Sequence, residues 1–252
     1  MITKNLKRIR TLYHYFLIFI KGEVILYQTI NNYKIKTIVS NNFEYQNRFK
    51  KPYSSEPLLI YWAENIIKPD HVVYDIGANV GNYSLLFAKK IMNHNGQVYS
   101  FEPNFINFQK LKRNILLNNL QNCILPFYFG FSNSNNVFVF HENSEGTVGG
   151  SGKVAKMNEE GENILCLTLN TLLGFENIKK PNHIKIDIDF NTTKLFEEID
   201  WLKCNELKSV YIEIEKNDEL KLLKIFKENN FKLLKQDIEY YNDTKNYLFI
   251  KK

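Results

Sequence analysis

The residues with the clearest chemical potential are a glycine-bearing turn and an acidic side chain, each following an apolar run typical of a buried strand. Gly77 and Gly81 lie in the turn after Val72–Tyr74, and Glu102 follows Gln97–Phe101. Glycine lets the main chain approach a ligand closely, and Rossmann-type folds bind ribose hydroxyls with a carboxylate at the end of the next strand. The pattern therefore predicts a site for a cofactor that contains adenosine.

One position in the turn indicates which cofactor is bound. In the nicotinamide pattern G-x-G-x-x-G, the second glycine lets a pyrophosphate lie against bare backbone, and Asn79 occupies that position here. S-adenosylmethionine has no phosphate and needs only a loop that wraps its ribose and amino-acid portion. We therefore expect S-adenosylmethionine, and a nicotinamide-dependent oxidoreductase is a less favoured alternative.

The turn and the glutamate are part of a longer pattern that resembles the FkbM-type S-adenosylmethionine-dependent methyltransferases, many of which methylate sugar hydroxyls. The resemblance extends from about Ser54 to the C-terminus. The segments that carry it are Asp75–Gly81, Phe101–Pro103, Asn114–Asn118, His183–Asp187 and Val210–Glu213. It implies a methyltransferase that acts on a sugar or glycan acceptor, with a lipid-linked glycan as one form of that acceptor.

The resemblance also implies residue roles. It assigns the cofactor loop to Asp75, Gly77, Asn79 and Gly81. Glu102 is expected to hold the ribose of the cofactor. Asp187 is expected to border the cleft in which the methyl group is transferred, but its surroundings depart from the family pattern.

The departures lie on the acceptor side. Where the family has a glycine and a glutamate after the Asp187 strand, this chain has Phe190 and Thr192, and Asn170 replaces a usual aspartate. The cofactor half of the pattern is intact. A narrowed substrate range, or a methyltransferase-like protein that binds cofactor with little or no catalysis, is therefore the main alternative.

Three carboxylates are candidates for chemistry on the acceptor. A hydroxyl attacks more readily when a nearby group takes up its proton, and Asp187 ends an apolar strand at the cofactor-facing edge of the sheet. Asp187 is the first catalytic candidate, with cofactor binding or helix capping as its alternatives. Glu213 is the second catalytic candidate, and Asp189 is predicted to bind substrate. Carboxylates on neighbouring strand ends usually act separately, so no metal site is predicted.

Strand and helix patterns alternate from Ser54 onward. The alternation predicts an α/β fold of the Rossmann-like class I methyltransferase type, with a seven-stranded, mostly parallel sheet. Phe231–Leu234 and Tyr247–Ile250 lack an intervening helix and predict a C-terminal antiparallel hairpin, while Ile124–Phe131 and Val137–Phe140 are expected to continue the sheet. The methyltransferase domain is predicted over residues 53–252.

Residues 1–52 are predicted to form a small extension with a helix over Leu12–Ile20 and a β-hairpin. Val24–Ile30 and Tyr33–Val39 flank an Asn-Asn pair suited to a tight turn, and Ser40–Lys51 is expected to be a linker. The apolar run of the helix is too short to span a bilayer. We expect the helix to pack on the domain, with peripheral membrane contact as the alternative.

Composition narrows the class and location further. Of the 252 residues, 44% are hydrophobic and 24% charged, as in folded globular proteins, and the net charge of +6 shows no clustered basic run. A nucleic-acid partner is therefore not expected. Cys123, Cys166 and Cys204 are too widely spaced for a metal or disulfide motif, which predicts buried thiols and a cytoplasmic location. The glycine-rich run Ser144–Gly152 is expected to be a substrate lid or a mobile connector.

Overall fold

The computed structural model describes residues 2–142, 149–150, 152–155, 161–188, 192–239 and 243–252. Its strands are β1 (Val24–Ile30), β2 (Tyr33–Val39), β3 (Val72–Ile76), β4 (Gln97–Phe101), β5 (Ile124–Phe127), β6 (Gly130–Phe131), β7 (Asn136–Glu142), β8 (Gly152–Ala155), β9 (Glu162–Leu167), β10 (His183–Ile186), β11 (Ser209–Glu215), β12 (Phe231–Gln236) and β13 (Thr244–Lys251). Its helices are α1 (Ile2–Lys21), α2 (Asn42–Glu44), α3 (Pro52–Ser55), α4 (Pro57–Asn65), α5 (Asn82–Ile91), α6 (Phe105–Leu117), α7 (Leu169–Gly174), α8 (Thr192–Glu197) and α9 (Glu219–Glu228). A π-helical turn covers Tyr45–Lys50, and a 3₁₀ turn covers Trp201–Cys204.

Seven strands form the predicted α/β sheet, in the order β12-β13-β11-β10-β3-β4-β5. Strands β11, β10, β3, β4 and β5 are parallel, whereas β13 pairs antiparallel with both β11 and β12. Val73 and Tyr74 point to opposite faces of the sheet, into two separate apolar clusters built with different helices. The Rossmann-like class I methyltransferase architecture with its C-terminal hairpin is confirmed.

The N-terminal extension contains the predicted hairpin and an additional helical segment. β1 and β2 pair antiparallel with Ile30 opposite Tyr33. The expectation of a linker over Ser40–Lys51 is wrong, because α2 and the π-helical turn occupy most of it. That segment is held by packing, since Tyr45 and Phe49 are buried in a cluster with Ile18 of α1.

Helix α1 packs on the hairpin and the π-helical turn through one face only. His14 and Ile18 are buried, and Nδ1 of His14 lies 3.0 Å from the hydroxyl of Tyr45. The opposite face carries large apolar side chains that are exposed, namely Ile9, Leu12, Tyr13, Phe16, Phe19 and Ile20. Across the described residues, none of the helices has the length and apolar content needed to cross a membrane.

A separate four-stranded sheet, in the order β6-β9-β7-β8, follows the main sheet. The expectation that Ile124–Phe131 and Val137–Phe140 continue the main sheet is therefore wrong beyond β5. The chain leaves the edge of the main sheet after Phe127, and β6 pairs with β9 instead. Phe140, Ile164 and Cys166 form a small core for this second sheet. Cys123, Cys166 and Cys204 are buried free thiols, as expected.

Candidate functional site

The carboxyl ends of β3, β4 and β10 meet at one edge of the main sheet, because these neighbouring strands are parallel. A cavity of about 760 Å³, which includes the space at its mouth, opens at this edge. Its described lining includes Gly77, Asn79, Glu102, Phe129, Phe131 and Asp187.

The turn after β3 owes its shape to three residues with positive φ: Gly77 at 79°, Asn79 at 51° and Gly81 at 94°. The main-chain N–H of Gly77 donates to the carbonyl oxygen of Phe101 at 3.0 Å, which fixes the turn against the end of β4. A Cβ at Gly77 would overlap the main-chain carbonyl of Asp187. Glycine at this position therefore lets the turn pass directly beside the end of β10.

Glu102 lies beside this turn and is only 4% exposed. Its Oε2 accepts the main-chain N–H of Asn79 at 2.7 Å, and its Oε1 accepts that of Asn104 at 2.9 Å. Burial raises the pKa of Glu102 to about 7, although hydrogen bonds from Asn104, Asn79 and Asn107 act to lower it. A carboxyl group at the wall of the cavity, next to a glycine turn, fits a ligand that presents paired hydroxyls.

Asp75 and Gly81 lie behind the turn and are not among the described lining residues of the cavity. Asp75 is fully buried, and its Oδ2 accepts a hydrogen bond from the hydroxyl of Ser84 at 2.5 Å. A Cβ at Gly81 would overlap the side chain of Leu111 on α6. Both residues therefore shape the turn from behind, while Gly77, Asn79 and Glu102 form the wall of the cavity.

A buried row of polar side chains crosses three strands below the cavity. Lys185 is paired in register with Asp75 on one side and Tyr211 on the other, so the three side chains project from the same face of the sheet. Lys185 Nζ lies 3.2 Å from Asp75 Oδ1 and 3.3 Å from Asp187 Oδ2. Burial acts to lower the pKa of Lys185, but nearby carboxylates outweigh it and the net shift is upward. The buried ammonium group is therefore charged.

The three predicted acceptor-side carboxylates are placed differently. Asp187 lines the cavity, and its side chain is 44% exposed. Glu213 lies on β11, accepts a hydrogen bond from the hydroxyl of Thr244 at 2.6 Å, and is not among the described lining residues. Asp189 lies outside the described residues. In the described part of the chain, no group of three His, Cys, Asp or Glu side chains could hold a metal ion.

Part of the cavity is covered by a glycine turn that precedes β8. The carbonyl oxygen of Gly150 accepts hydrogen bonds from the side-chain amides of Asn79 at 2.9 Å and Asn107 at 3.0 Å. Arg48 Nε donates to the carbonyl oxygen of Gly149 at 2.6 Å. The remainder of the predicted lid, residues 144–148 and 151, lies outside the described residues.

The sequence pattern did not indicate four of the polar residues around the site. Arg48 lines the cavity from a segment expected to be a linker, and Asn107 binds the glycine turn from α6. Glu56 lies before α4, near the Lys185 row. Of these four residues, only Lys185 could have been predicted from the sequence. It stands two residues before Asp187 in an apolar strand, so the two side chains must point to the same face of the sheet.

Known proteins resemble the chain in sequence family and in fold. The family model described as the methyltransferase FkbM domain matches residues 75–233. A structure described as an rRNA methylase from Clostridium thermocellum has a TM-score of 0.50 at 11% identity, covering 79% of this chain and 95% of that chain. P. horikoshii TYW2 in complex with MeSAdo has a TM-score of 0.48 at 16% identity, covering 90% of this chain and 72% of that one.

M. jannaschii TYW2 in complex with AdoMet has a TM-score of 0.47 at 15% identity, covering 92% of this chain and 87% of that chain. No curated protein matches the chain. At these identities the likeness of the Clostridium protein concerns the fold alone. The family match covers the turn after β3, Glu102, Lys185 and Asp187, and thus the cofactor side of the cavity and the end of β10.

Proposed function

The chain belongs to the FkbM methyltransferase family, and from that premise we propose that it transfers a methyl group to a hydroxyl of a sugar or glycan. The enzyme class is that of S-adenosylmethionine-dependent methyltransferases, so the acceptor is the proposed part. One observation carries the proposal: Asp187, a half-exposed carboxylate, lines the same cavity as the buried Glu102. A partly exposed carboxylate beside the cofactor site can accept a hydrogen bond from the hydroxyl of an acceptor.

The cofactor side of the proposal rests on the wall of the cavity. Glu102 would accept hydrogen bonds from the two ribose hydroxyls, and the Gly77 and Asn79 backbone would wrap the cofactor. Asp75 and Gly81 would act indirectly, because they hold the turn from behind. When bound, S-adenosylmethionine supplies an activated methyl group on a sulfonium.

The acceptor side of the proposal assigns orientation of the hydroxyl to Asp187. Glu213 is on the same strand face as Tyr211, and its carboxylate accepts a hydrogen bond from the hydroxyl of Thr244. Its proposed contribution is therefore the negative charge that it adds to the acceptor side of the site. Asp189 keeps its proposed role in substrate binding. Positioning of the two reactants would supply most of the rate, since the thioether that departs from the sulfonium is already a good leaving group.

The domain assignment is proposed as residues 1–52 and 53–252, with one contact of functional interest across that boundary. Arg48 of the extension lines the cavity of the methyltransferase domain.

Helix α1 has an exposed apolar face, Lys21 in its last turn and no acidic residue. These features suit peripheral contact with an anionic membrane that carries a lipid-linked acceptor. Sedimentation with vesicles containing anionic phospholipid should show binding that Phe16→Glu weakens.

Two measurements test the function. Isothermal titration calorimetry should detect binding of S-adenosylhomocysteine and give no heat with NAD. Labelled methyl groups should then appear on methyl glycosides or on polysaccharide hydroxyls when S-adenosylmethionine is supplied. Cofactor binding without transfer to any acceptor would instead favour a methyltransferase-like protein with little catalysis.

A further inference from the structure

Arg48 brings a positive charge from the N-terminal extension to the wall of the cavity. Among the described lining residues it is the only lysine or arginine, whereas Glu102 and Asp187 supply carboxyl groups. A ligand with one anionic group therefore has a single cationic side chain to meet in this part of the wall.

The backbone of Arg48 is fixed both to the extension and to helix α6. Tyr45 and Phe49, in the same π-helical turn, are buried in the cluster that includes Ile18 of α1. Glu44, at the end of α2, pairs with Lys110 of α6 at 3.4 Å, and their side chains are only 1% and 5% exposed. The Arg48 side chain therefore extends from packed structure toward the cavity.

The guanidinium group of Arg48 is oriented by one of its five N–H groups. Its Nε donates to the carbonyl oxygen of Gly149 at 2.6 Å. Within the described parts of the chain, this guanidinium makes no further hydrogen bond and no ion pair. Its two terminal amino groups can together bind the two oxygens of a carboxylate.

Arg48 lies on the cofactor side of the cavity. Gly150, next to the glycine that Arg48 binds, has its carbonyl oxygen 2.9 Å from the side-chain amide nitrogen of Asn79. Burial raises the pKa of Glu102 to about 7, and the nearby charge of Arg48 is one of the influences that act to lower it. Asn79 and Glu102 both belong to the wall proposed to hold the cofactor.

The chemistry of the cofactor matches this cation. S-adenosylmethionine and its product S-adenosylhomocysteine each have one anionic group, the carboxylate of the amino-acid portion. A planar guanidinium binds a carboxylate through parallel charge-assisted hydrogen bonds, which are stronger than hydrogen bonds between neutral groups. With the ribose at Glu102 and the loop around the cofactor, Arg48 is the cationic side chain of the same wall.

We propose that Arg48 binds the carboxylate of the amino-acid portion of S-adenosylmethionine, so that the N-terminal extension completes the cofactor site. The inference rests on the cofactor side of the proposed function. The family match begins at residue 75, so this contact comes from outside the matched region. Through it, the extension distinguishes the cofactor from nucleosides that lack the carboxylate.

Calorimetric titration of two ligands isolates the carboxylate. The first ligand is S-adenosylhomocysteine, and the second is its decarboxylated analogue, which keeps the adenosine, the thioether and the amino group. The wild-type protein should prefer S-adenosylhomocysteine by roughly 10- to 150-fold in Kd, and Arg48→Met should lose most of this preference. Since both ligands are measured on the same variant, any loss of folded protein cancels in the ratio.

Two control variants separate the charge of Arg48 from its contact with the glycine turn. Asn107→Ala removes the hydrogen bonds of Asn107 to Gly149 and Gly150 and keeps the guanidinium. It should weaken both ligands by a similar factor and retain the preference. Arg113→Met removes an exposed arginine paired with Glu23, and it should bind both ligands as the wild-type protein does.

The outcomes are distinguishable. Equal binding of the two ligands by the wild-type protein, or a preference that survives in Arg48→Met, would overturn the proposal and leave Arg48 to hold the turn or to bind an anionic acceptor. A loss of preference in Asn107→Ala as large as in Arg48→Met would assign the effect to the turn and would also overturn it. If the wild-type protein bound neither ligand, the cofactor side of the proposed function would fail as well.

Discussion

The ammonium nitrogen of Lys185, near the end of β10, lies 3.3 Å from Oδ2 of Asp187, the residue that directly follows this strand. The same nitrogen lies 3.2 Å from Oδ1 of Asp75 and 3.4 Å from the carbonyl oxygen of Gly77. One buried cation therefore contacts the turn on the cofactor side and the carboxylate on the acceptor side. A change at Lys185 should affect both halves of the site.

Lys185→Met should destabilise the protein strongly, because it leaves the fully buried Asp75 without its cation. Removing one partner of a buried ion pair costs about 3–5 kcal/mol. Urea denaturation measures the loss of unfolding free energy. The control is Lys203→Met, which removes an exposed pair with Asp200 at 3.8 Å and should cost less than about 1 kcal/mol. Equal losses in the two variants would contradict a structural role for the Lys185 row.

Gly77→Ala should lower stability more than Gly22→Ala, although both residues have positive φ, 79° and 72°. Gly22 has open space around its Cα, so its substitution adds only the backbone strain of about 1–2 kcal/mol. A Cβ at Gly77 also meets the carbonyl of Asp187, which should add roughly 1–3 kcal/mol. Urea midpoints give the comparison, and similar values would mean that the two strand ends can separate freely.

The sequence was most predictive where the signal is local. The apolar run of β3 followed by Gly77, and the carboxylate of Glu102 after β4, depend on neighbouring residues and on the rule that parallel strands end at one edge. In the structure the turn after β3 and Glu102 lie side by side, and Glu102 accepts the main-chain N–H of Asn79 at 2.7 Å. The alternation of strands and helices likewise predicted the seven-stranded sheet.

The sequence was least predictive where contacts join distant segments. Arg48 reaches the site from the segment that was expected to be a linker, and only tertiary packing turns the part around Tyr45 into helix. The strand pattern of Val137–Phe140 indicated a strand correctly but not its partner. A strand's own residues do not specify which sheet it joins, and here β7 pairs with β8 and β9.

A directed chain of hydrogen bonds at the opposite edge of the sheet keeps two histidines neutral. His71 Nδ1 accepts the main-chain N–H of Lys68 at 3.1 Å, so His183 Nε2 must donate to it at 2.7 Å. His183 Nδ1 then accepts from the hydroxyl of Ser209 at 2.7 Å, and that oxygen accepts from Trp62 Nε1 at 2.7 Å. Burial, with added repulsion from His71, lowers the pKa of His183 well below 6.5.

His183→Gln should therefore lose less stability at acidic pH than at neutral pH. The unfolded chain takes up a proton on His183 below about pH 6.5 and the folded chain does not, so the contribution of neutral His183 is complete above that pH and shrinks as pH falls. At pH 5.5 the wild-type advantage should be smaller by about 1.4 kcal/mol. Glu56 and Glu102 have raised pKa values in the folded protein, so their contribution to the stability changes in the opposite direction as the pH falls. Both residues are present in the wild-type protein and in the variant, so this contribution cancels in the comparison. A difference independent of pH would mean that the folded protein protonates this histidine.

Glu102→Ala should weaken binding of S-adenosylhomocysteine while the fold is kept. Loss of charge-assisted hydrogen bonds to the ribose should cost about 1–3 kcal/mol, or roughly 5- to 150-fold in Kd. Calorimetric titration gives the affinity. Glu197→Ala, which removes an exposed carboxylate paired with Lys221, is the matched control and should bind as the wild-type protein does. Unchanged affinity in Glu102→Ala would remove this residue from the cofactor site.

Affinity for S-adenosylhomocysteine should also rise with pH, because burial raises the pKa of Glu102 to about 7 in the ligand-free protein. The ionised carboxylate can accept hydrogen bonds from both ribose hydroxyls, whereas the protonated group has to use one oxygen as a donor. If only the ionised form binds well, the apparent Kd is divided by the ionised fraction, which predicts roughly tenfold weaker binding at pH 6 than at pH 8. Glu102→Gln should bind more weakly at pH 8 and show a much smaller dependence on pH. Wild-type affinity that is constant or increases toward low pH would mean that the ligand does not require the charged form of Glu102.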